Sequence, residues 1–349
     1  MPFGGSKKEG SVMMTRRDFL TTVAGVAGLG AVGDLAGTAR VFAQQKPWQI
    51  VFHTKNVVNP FWKAAQTGAK VSLDRFKDRP IELIYAAPTK PDNIEEQVRI
   101  MEDWITKKPD VMIFVPVDYV ALVPTVQKAV AAGIPIVNYC NRMAAGKTEI
   151  YIGSDDEQLA FDVATYAFKA VGNKGKVVIL DGVPGAITAQ DRHRGYRRAL
   201  RANKGMELLA AQPANYSRLQ AVQVMENLLQ RFPQIDVVLA ANDEEALGAI
   251  EAIDAAGRLG KIKVTGVDAT PPAIQSILQG RLFVTADYSG FDQGYLAAEA
   301  AYRLLKGEKL PPELLLPVVL VDKSNAQAWN IAVEQRKPPV WEKVLATQR

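Results

Sequence analysis

Asn59-Pro60-Phe61-Trp62 joins two segments of different period. Before it, Ile50-Val51-Phe52-His53-Thr54 is an apolar run that reads as a buried strand. After it, Lys63 to Phe76 places its apolar residues as a helix lying on a sheet would. Pro60 suits a helix start, where its missing N–H costs little. Two adjacent aromatics at a strand-to-helix turn fall at the carboxyl edge of a sheet, where open α/β folds bind ligands. Phe61 or Trp62 alone reads as packing between helix and sheet. The pair beside Asn59 reads as a flat aromatic surface for a ligand.

The same alternation continues outward. In the first half, strands are expected at Ile50–Thr54, Ile81–Ala86, Val111–Val115, Ile134–Tyr139 and Ile150–Ile152, with helices such as Asn93–Lys107 and Leu122–Ala132 between them. The second half offers Lys176–Asp181, Glu207–Ala211, Val237–Ala240, Lys263–Val267 and Phe283–Ala286. This spacing predicts parallel sheets with helices on both faces. The halves also resemble each other. Asp110-Val111-Met112-Ile113, Asp118, Ala121-Leu122 and Ala132-Gly133 recur as Asp236-Val237-Val238-Leu239, Asp243, Ala246-Leu247 and Ala256-Gly257, about 125 residues later, too long a period for a solenoid unit. The fold class expected is therefore α/β: two similar doubly wound parallel-sheet lobes facing each other across a cleft. The lobes would be joined by a multi-strand hinge at Gly153–Asp156, Tyr288–Gly290 and Leu316–Val318. The first lobe is drawn over 48–154 plus 289–317, the second over 155–288 plus 318–330, with a C-terminal tail over 331–349.

The 349 residues suffice for about two domains, and 48% are hydrophobic, so a sizeable core is available. The formal charge is +5, of which residues 1–43 hold +2. The remainder is a mixed, ordinary surface and not a nucleic-acid footprint. Cys140 is the only cysteine, which excludes an internal disulfide and a Cys-based zinc site. It reads as a small buried hydrophobe at a strand end. His53 and His193 show no metal-ligand spacing, and neither is given a catalytic role.

Residues 1–43 read as an address. Thr15-Arg16-Arg17-Asp18-Phe19-Leu20 is a twin-arginine export pattern, followed by a weakly apolar stretch and a small-residue cleavage site at Val41-Phe42-Ala43. Asp34 and Arg40 leave the apolar run too short to span a membrane. Gly28-Leu29-Gly30-Ala31-Val32-Gly33 matches the dinucleotide fingerprint, but it lacks the preceding strand that would aim such a loop, so it is rejected. No cysteine follows as a lipid-anchor site, and a soluble periplasmic protein is expected.

Polar residues cluster at the expected strand ends. Asn141-Arg142 follow the fourth strand, Arg192 lies in the segment after Lys176–Asp181, Asn242 follows Val237–Ala240 and Asp268 follows Lys263–Val267; Tyr216 and Tyr288 add aromatics. Amides, a carboxylate and guanidinium forks match a polyol, whose hydroxyls both donate and accept. Its C–H face can stack on rings. Singly, each of these residues reads as a strand-end cap; together they read as a site.

On these residues the chain resembles the ribose-binding-like family of periplasmic sugar-binding proteins, the type I solute-binding proteins of ABC importers. The likeness runs from about Gln49 to Asp322 and is carried by Asn59-Pro60-Phe61-Trp62, Gly133-Ile134-Pro135-Ile136-Val137, Gln212-Pro213-Ala214, Ala241-Asn242-Asp243-Glu244-Glu245-Ala246-Leu247-Gly248, Gly266-Val267-Asp268-Ala269-Thr270-Pro271 and Leu305-Lys306-Gly307-Glu308. The resemblance implies a ligand held between the lobes by Asn59, Phe61, Trp62, Asn141, Arg142, Arg192, Tyr216, Asn242, Asp268 and Tyr288. It further implies a monomer that hands a monosaccharide or polyol to an ABC permease at the inner membrane, without cofactor or nucleic acid. The family often has Asp where Asn141 stands, can have Asn at Val115, and commonly has Gln at Tyr288. These departures point away from ribose itself.

An enzyme is the rival class, but no usable phosphate loop, His-based dyad or Gly-x-Ser-x-Gly elbow is present. A sugar-responsive repressor would need a helix-turn-helix before the first lobe. A receptor reporting to chemotaxis or a sensor kinase is not separated from transport by the residues. Ligand charge is also left open. Arg142 and Arg192 against Asp268 leave one positive charge over, which a sugar acid would offset. Asp118, Asp181 or Asp287 nearby would balance it and favour a neutral ligand.

Overall fold

The computed structural model describes residues 46–348. The expected export signal, its expected cleavage site and the Gly28–Gly33 motif lie outside the described residues. In chain order the elements are β1 (Trp48–His53), α1 (Pro60–Leu73), β2 (Ile81–Ala86), α2 (Ile94–Lys107), β3 (Val111–Phe114), α3 (Val123–Ala131), β4 (Ile136–Tyr139), β5 (Ile150–Gly153), α4 (Asp156–Ala170), β6 (Gly175–Asp181), α5 (Ile187–Ala202), β7 (Met206–Pro213), α6 (Arg218–Arg231), β8 (Val237–Ala240), α7 (Asp243–Ala255), β9 (Lys263–Val267), α8 (Pro271–Leu278), β10 (Val284–Asp287), α9 (Gly290–Leu305), β11 (Glu313–Leu315), β12 (Val319–Asp322) and α10 (Trp341–Ala346).

The strands form two six-stranded sheets, ordered β11-β5-β4-β3-β1-β2 and β12-β10-β9-β8-β6-β7. All pairs in the first sheet are parallel, as are those in the second apart from β10 with β12. Continuous apolar runs explain this. Val111–Phe114 and Val237–Ala240 are buried at every position, as a parallel strand covered on both faces must be. In each sheet the strand order reverses beside the first strand of its half, β1 or β6. The loops leaving β1 and β3, and those leaving β6 and β8, therefore flank a crevice at the carboxyl edge.

Capping residues set where the helices begin. The Asn59 side chain accepts from the Phe61 N–H at 2.9 Å, so α1 starts at Pro60, three residues before the start read from the sequence. Phe61 and Trp62 thus lie in the first turn of the helix. Asn93, Asp155, Ser217 and Asn242 cap α2, α4, α6 and α7 in the same way.

The chain changes sheets three times, at 154–155, 288–289 and 316–318. In the first lobe α1 and α9 cross in close contact. A Cβ on Gly68 would stand 2.0 Å from the Phe291 carbonyl oxygen, and one on Gly294 would stand 2.0 Å from that of Ala65. After β12 the chain runs back along the molecule. Ala326–Trp329 forms a 3₁₀ turn against α8 in the second lobe. Trp341 is then buried in the core shared with α1 and α9, and Gln348 pairs with the Leu315 backbone in both directions, at 2.7 and 2.8 Å. The segment read only as a tail over 331–349 therefore holds packed structure.

Candidate functional site

Where the two carboxyl edges face each other lies a cavity with about 370 Å³ of empty space, its mouth included. Nine of the ten site residues expected from the sequence line it: Asn59, Phe61, Trp62, Asn141, Arg192, Tyr216, Asn242, Asp268 and Tyr288. Four of these are rings. Phe61 stacks on Tyr288 at 5.8 Å between centroids and meets Trp62 edge-on at 4.8 Å. Trp62 also reaches the edge of Tyr139, at 6.3 Å, so it is both wall and core.

The two asparagine caps serve the fold and the cavity wall at once. In Asn59 and Asn242 the side-chain Oδ1 takes the N–H that opens the helix, from Phe61 and from Glu245, each at 2.9 Å. Each Nδ2 then has no partner among the described residues and remains available as a donor. Asn141 is used differently. Its Nδ2 donates to the Pro116 carbonyl at 3.0 Å, and its Oδ1 accepts from Thr188 Oγ1 of the facing lobe, also at 3.0 Å. Thr188 Oγ1 lies 3.0 Å from the Tyr216 hydroxyl in turn, so a polar chain runs from one lobe to the other.

Arg142 is the exception. It is exposed, its guanidinium lies 4.1 Å from the centre of the Tyr151 ring, and it pairs with Glu313 at 2.6 Å. The reason is local. Cys140 has φ +59°, and buried Asn138 donates to the Phe114 and Asn141 carbonyls while accepting from the Met143 N–H. That staple fixes the loop with Arg142 turned away from the cavity.

Sequence reasoning missed Lys55, Asn56, Asp92, Cys140 and Thr188 in the lining. Lys55 is buried, pairs with Asp92 at 3.1 Å and lies 5.3 Å from the centre of the Tyr216 ring. Its position one residue beyond the β1 run was the available signal. Arg192 is almost wholly buried. Its Nε donates to Asp156 Oδ1 at 2.8 Å and its Nη1 to the Ala241 carbonyl at 2.7 Å, and it lies 4.6 Å over the Tyr288 ring. Burial alone would lower the Arg192 pKa, but Asp156 and Tyr216 more than offset this and it stands well above the usual value.

Its balancing acid is therefore Asp156, and not one of the three considered from the sequence. Asp118 caps the turn at Val120 and Ala121, Asp181 pairs with His193 at 2.9 Å, and Asp287 accepts from Trp329. Asp156 is pushed up to about 6 by burial, with Arg192 pulling the other way. Asp268 is raised well above the carboxylate range, chiefly by burial.

Two further buried acids hold the loops. Glu245 accepts from the Tyr216 N–H at 2.6 Å and the Ala241 N–H at 3.0 Å. Asp243 accepts from Thr285 Oγ1 at 2.6 Å and from the Thr270 N–H at 2.8 Å. Cys140, Tyr216 and Asp268 all carry positive φ, so backbone strain collects at three of the loops that meet in the cavity. Burial pushes the Cys140 thiol up to about 12 and His53 down to about 4. His53 faces Gln97 behind β1. Among the described residues no group of three or more His, Cys, Asp or Glu side chains is arranged to hold a metal.

Residues 50–309 match the family described as periplasmic binding protein domain. The chain is 33% identical over 270 residues to a D-ribose/D-allose-binding protein of Pseudomonas aeruginosa, covering 76% of this chain and 84% of that one. A solved ABC transporter periplasmic solute binding protein of Actinobacillus succinogenes, with bound D-allose, superposes with a TM-score of 0.76 at 33% identity, over 81% of this chain and all of that one. An ABC transporter solute binding protein of Bacillus halodurans with bound myo-inositol also gives 0.76, at 27% identity over 82% of this chain and 99% of that one.

Proposed function

This chain belongs to the periplasmic binding protein family, and from that premise we propose that it captures a neutral monosaccharide or polyol in the interlobe cavity and delivers it to an ABC permease. The observation that carries the reading is the lining itself. Four rings stand in the wall against which the C–H groups of a sugar can pack, while Asn59, Asn242, Arg192 and Asp268 offer donors and acceptors to its hydroxyls. Sugars bound by similar proteins, D-allose in one structure and myo-inositol in another, are of this kind. Nothing in the arrangement calls for catalysis. The thiol is held protonated and buried His53 is held neutral.

The assigned ligand contacts are the nine lining residues foreseen in the sequence together with Lys55 and Thr188. The lobes are assigned as 48–154 plus 289–317 and 155–288 plus 318–330. They close over the ligand by rotation at the three crossings. The protein acts as a monomer in the periplasm, exported through the twin-arginine pathway on the strength of Arg16-Arg17.

A thermal-shift screen over sugars, polyols and sugar acids tests the function. A ligand at one hundred times its Kd should stabilise the protein by about 2.7 kcal/mol. The expected hit is an uncharged pentose, hexose or cyclitol. A panel in which no sugar or polyol shifts the melting point refutes the reading.

A further inference from the structure

Asp156 lies at the first crossing between the lobes, as the opening residue of α4, and is not among the lining residues. It touches two residues that are. Its Oδ1 accepts from Arg192 Nε at 2.8 Å, and its Oδ2 accepts from the Tyr288 hydroxyl at 3.0 Å. The Tyr288 hydroxyl also stands 3.2 Å from the Cys140 carbonyl. Both members of the ion pair are almost fully buried, at 4% and 3% exposure. Hydration therefore does little to stabilise the charge, and Arg192 depends on Asp156 as its counter-ion.

We propose that Asp156 is a positioning residue that sets the charge class of the ligand: by neutralising Arg192 from behind, it reserves the site for uncharged sugars and polyols and turns sugar acids away. This rests on the reading that the cavity is the sugar site.

The charges around the cavity support it. The cations are Lys55 and Arg192, since Arg142 is turned outward. Lys55 has Asp92 and Arg192 has Asp156, while Asp268 adds a carboxyl of its own to the wall. No positive charge is left for an anion to satisfy. Arg192 keeps Nη2 without a partner among the described residues, as a neutral-ligand donor. Were Asp156 uncharged, the same guanidinium would be a buried cation in want of an anion, with Nη2 free to donate to one.

The test is Asp156→Asn in the full mature chain. Asparagine preserves the shape: its Oδ1 can still accept from Arg192 Nε, while its Nδ2 would donate to the Tyr288 hydroxyl, whose own proton can turn to the Cys140 carbonyl at 3.2 Å. Calorimetry compares D-ribose, D-allose and myo-inositol with D-ribonate and D-glucuronate. Wild type should bind a neutral compound and reject the acids. In Asp156→Asn the ratio of acid to neutral Kd should move toward the acid by about tenfold or more. Asp156→Ser, which removes the charge but keeps a hydroxyl, should move it the same way. A purely structural role would weaken both classes alike, and an unchanged ratio in folded variants overturns the proposal. Failure of both variants to fold overturns it too, because Asp156 would then serve the fold. Wild type that binds no sugar at all refutes the sugar site itself, and a wild type that prefers the acid refutes the role given to Asp156 and the neutral ligand but leaves the cavity as the site.

Discussion

Replacing Trp62 by alanine tests the double role that the structure gives this ring. Trp62 is only 6% exposed and sits in the first-lobe core against Tyr139, yet it also forms part of the cavity wall. Removing a buried tryptophan costs about 3–5 kcal/mol of stability when the space left behind stays closed. Here part of that space would merge with the existing cavity and admit water, which places the expected cost near the lower end, about 3 kcal/mol. Loss of the stacking face, and of the edge that holds Phe61 in place, should cost a further 1–3 kcal/mol of binding, on the order of 5- to 160-fold in Kd. Urea unfolding without ligand gives the first figure, and calorimetry of the folded variant gives the second. Trp62→Phe should recover most of the stability and only part of the affinity. A variant with lowered stability but wild-type affinity would show that Trp62 is core alone and that the Phe61–Trp62 pair is not a surface for the ligand. A variant with weakened binding but wild-type stability would refute the packing against Tyr139.

Gly294→Ala should cost more than the roughly 1–3 kcal/mol of ordinary overpacking, because the new Cβ would meet backbone atoms of Ala65 at 2.0 to 2.7 Å; wild-type stability in urea would refute the α1–α9 contact. His53 has a folded pKa of about 4 against 6.5 unfolded, so its contribution is present above 6.5 and lost as pH falls toward 4. The stability difference between wild type and His53→Gln should therefore shrink by about 2 kcal/mol between pH 7 and pH 5. Taking that difference cancels the buried acids Asp243 and Glu245, whose raised pKa values act in the opposite sense; a flat difference refutes the burial of His53. Small-angle scattering should show a smaller radius of gyration with saturating ligand than without, and no change would count against hinge closure. Changing Arg16 and Arg17 to lysine should stop the mature protein from reaching the periplasm, and undiminished export would exclude the twin-arginine route.

The architecture was legible because parallel strands buried on both faces must be apolar throughout. Val111–Phe114 and Val237–Ala240 could be found on that ground alone, and their recurrence about 125 residues apart gave the second lobe. That nine of the expected residues would meet around one cavity was legible too, since strand ends in such a sheet face the crevice. The direction of each side chain was not. Arg142 follows Asn141 directly, yet the two diverge because of a positive φ at Cys140 and the hydrogen bonds of Asn138, and neither has a local sequence signal. The Lys55–Asp92 pair joins loops 37 residues apart, and the partner of Arg192 is 36 residues away in a crossing. Such pairings exist only once the sheet has brought its loops together. Trp341 was passed over because a lone aromatic in a charged segment has no period to betray its burial.

The reading of each strand-end residue as either a cap or a ligand contact proves too narrow for this site. Asn59 and Asn242 cap their helices through Oδ1, and both residues line the cavity with Nδ2 left without a partner among the described residues. Asn141, Thr188 and Tyr216 carry the same economy across the cleft, because atoms that line the cavity also bond one lobe to the other. Rotating the lobes apart would break the Asn141–Thr188 bond and separate Lys55 from Tyr216. A ligand touching Asn141 and Tyr216 together touches both lobes only when they are close, so it must favour the closed arrangement by its contacts with that state. The polar chain contributes a bias of the same sign without ligand. Weakening it by Thr188→Val should therefore lower affinity even if the hydroxyl never meets the sugar, because more of the binding energy would be consumed in closing the lobes.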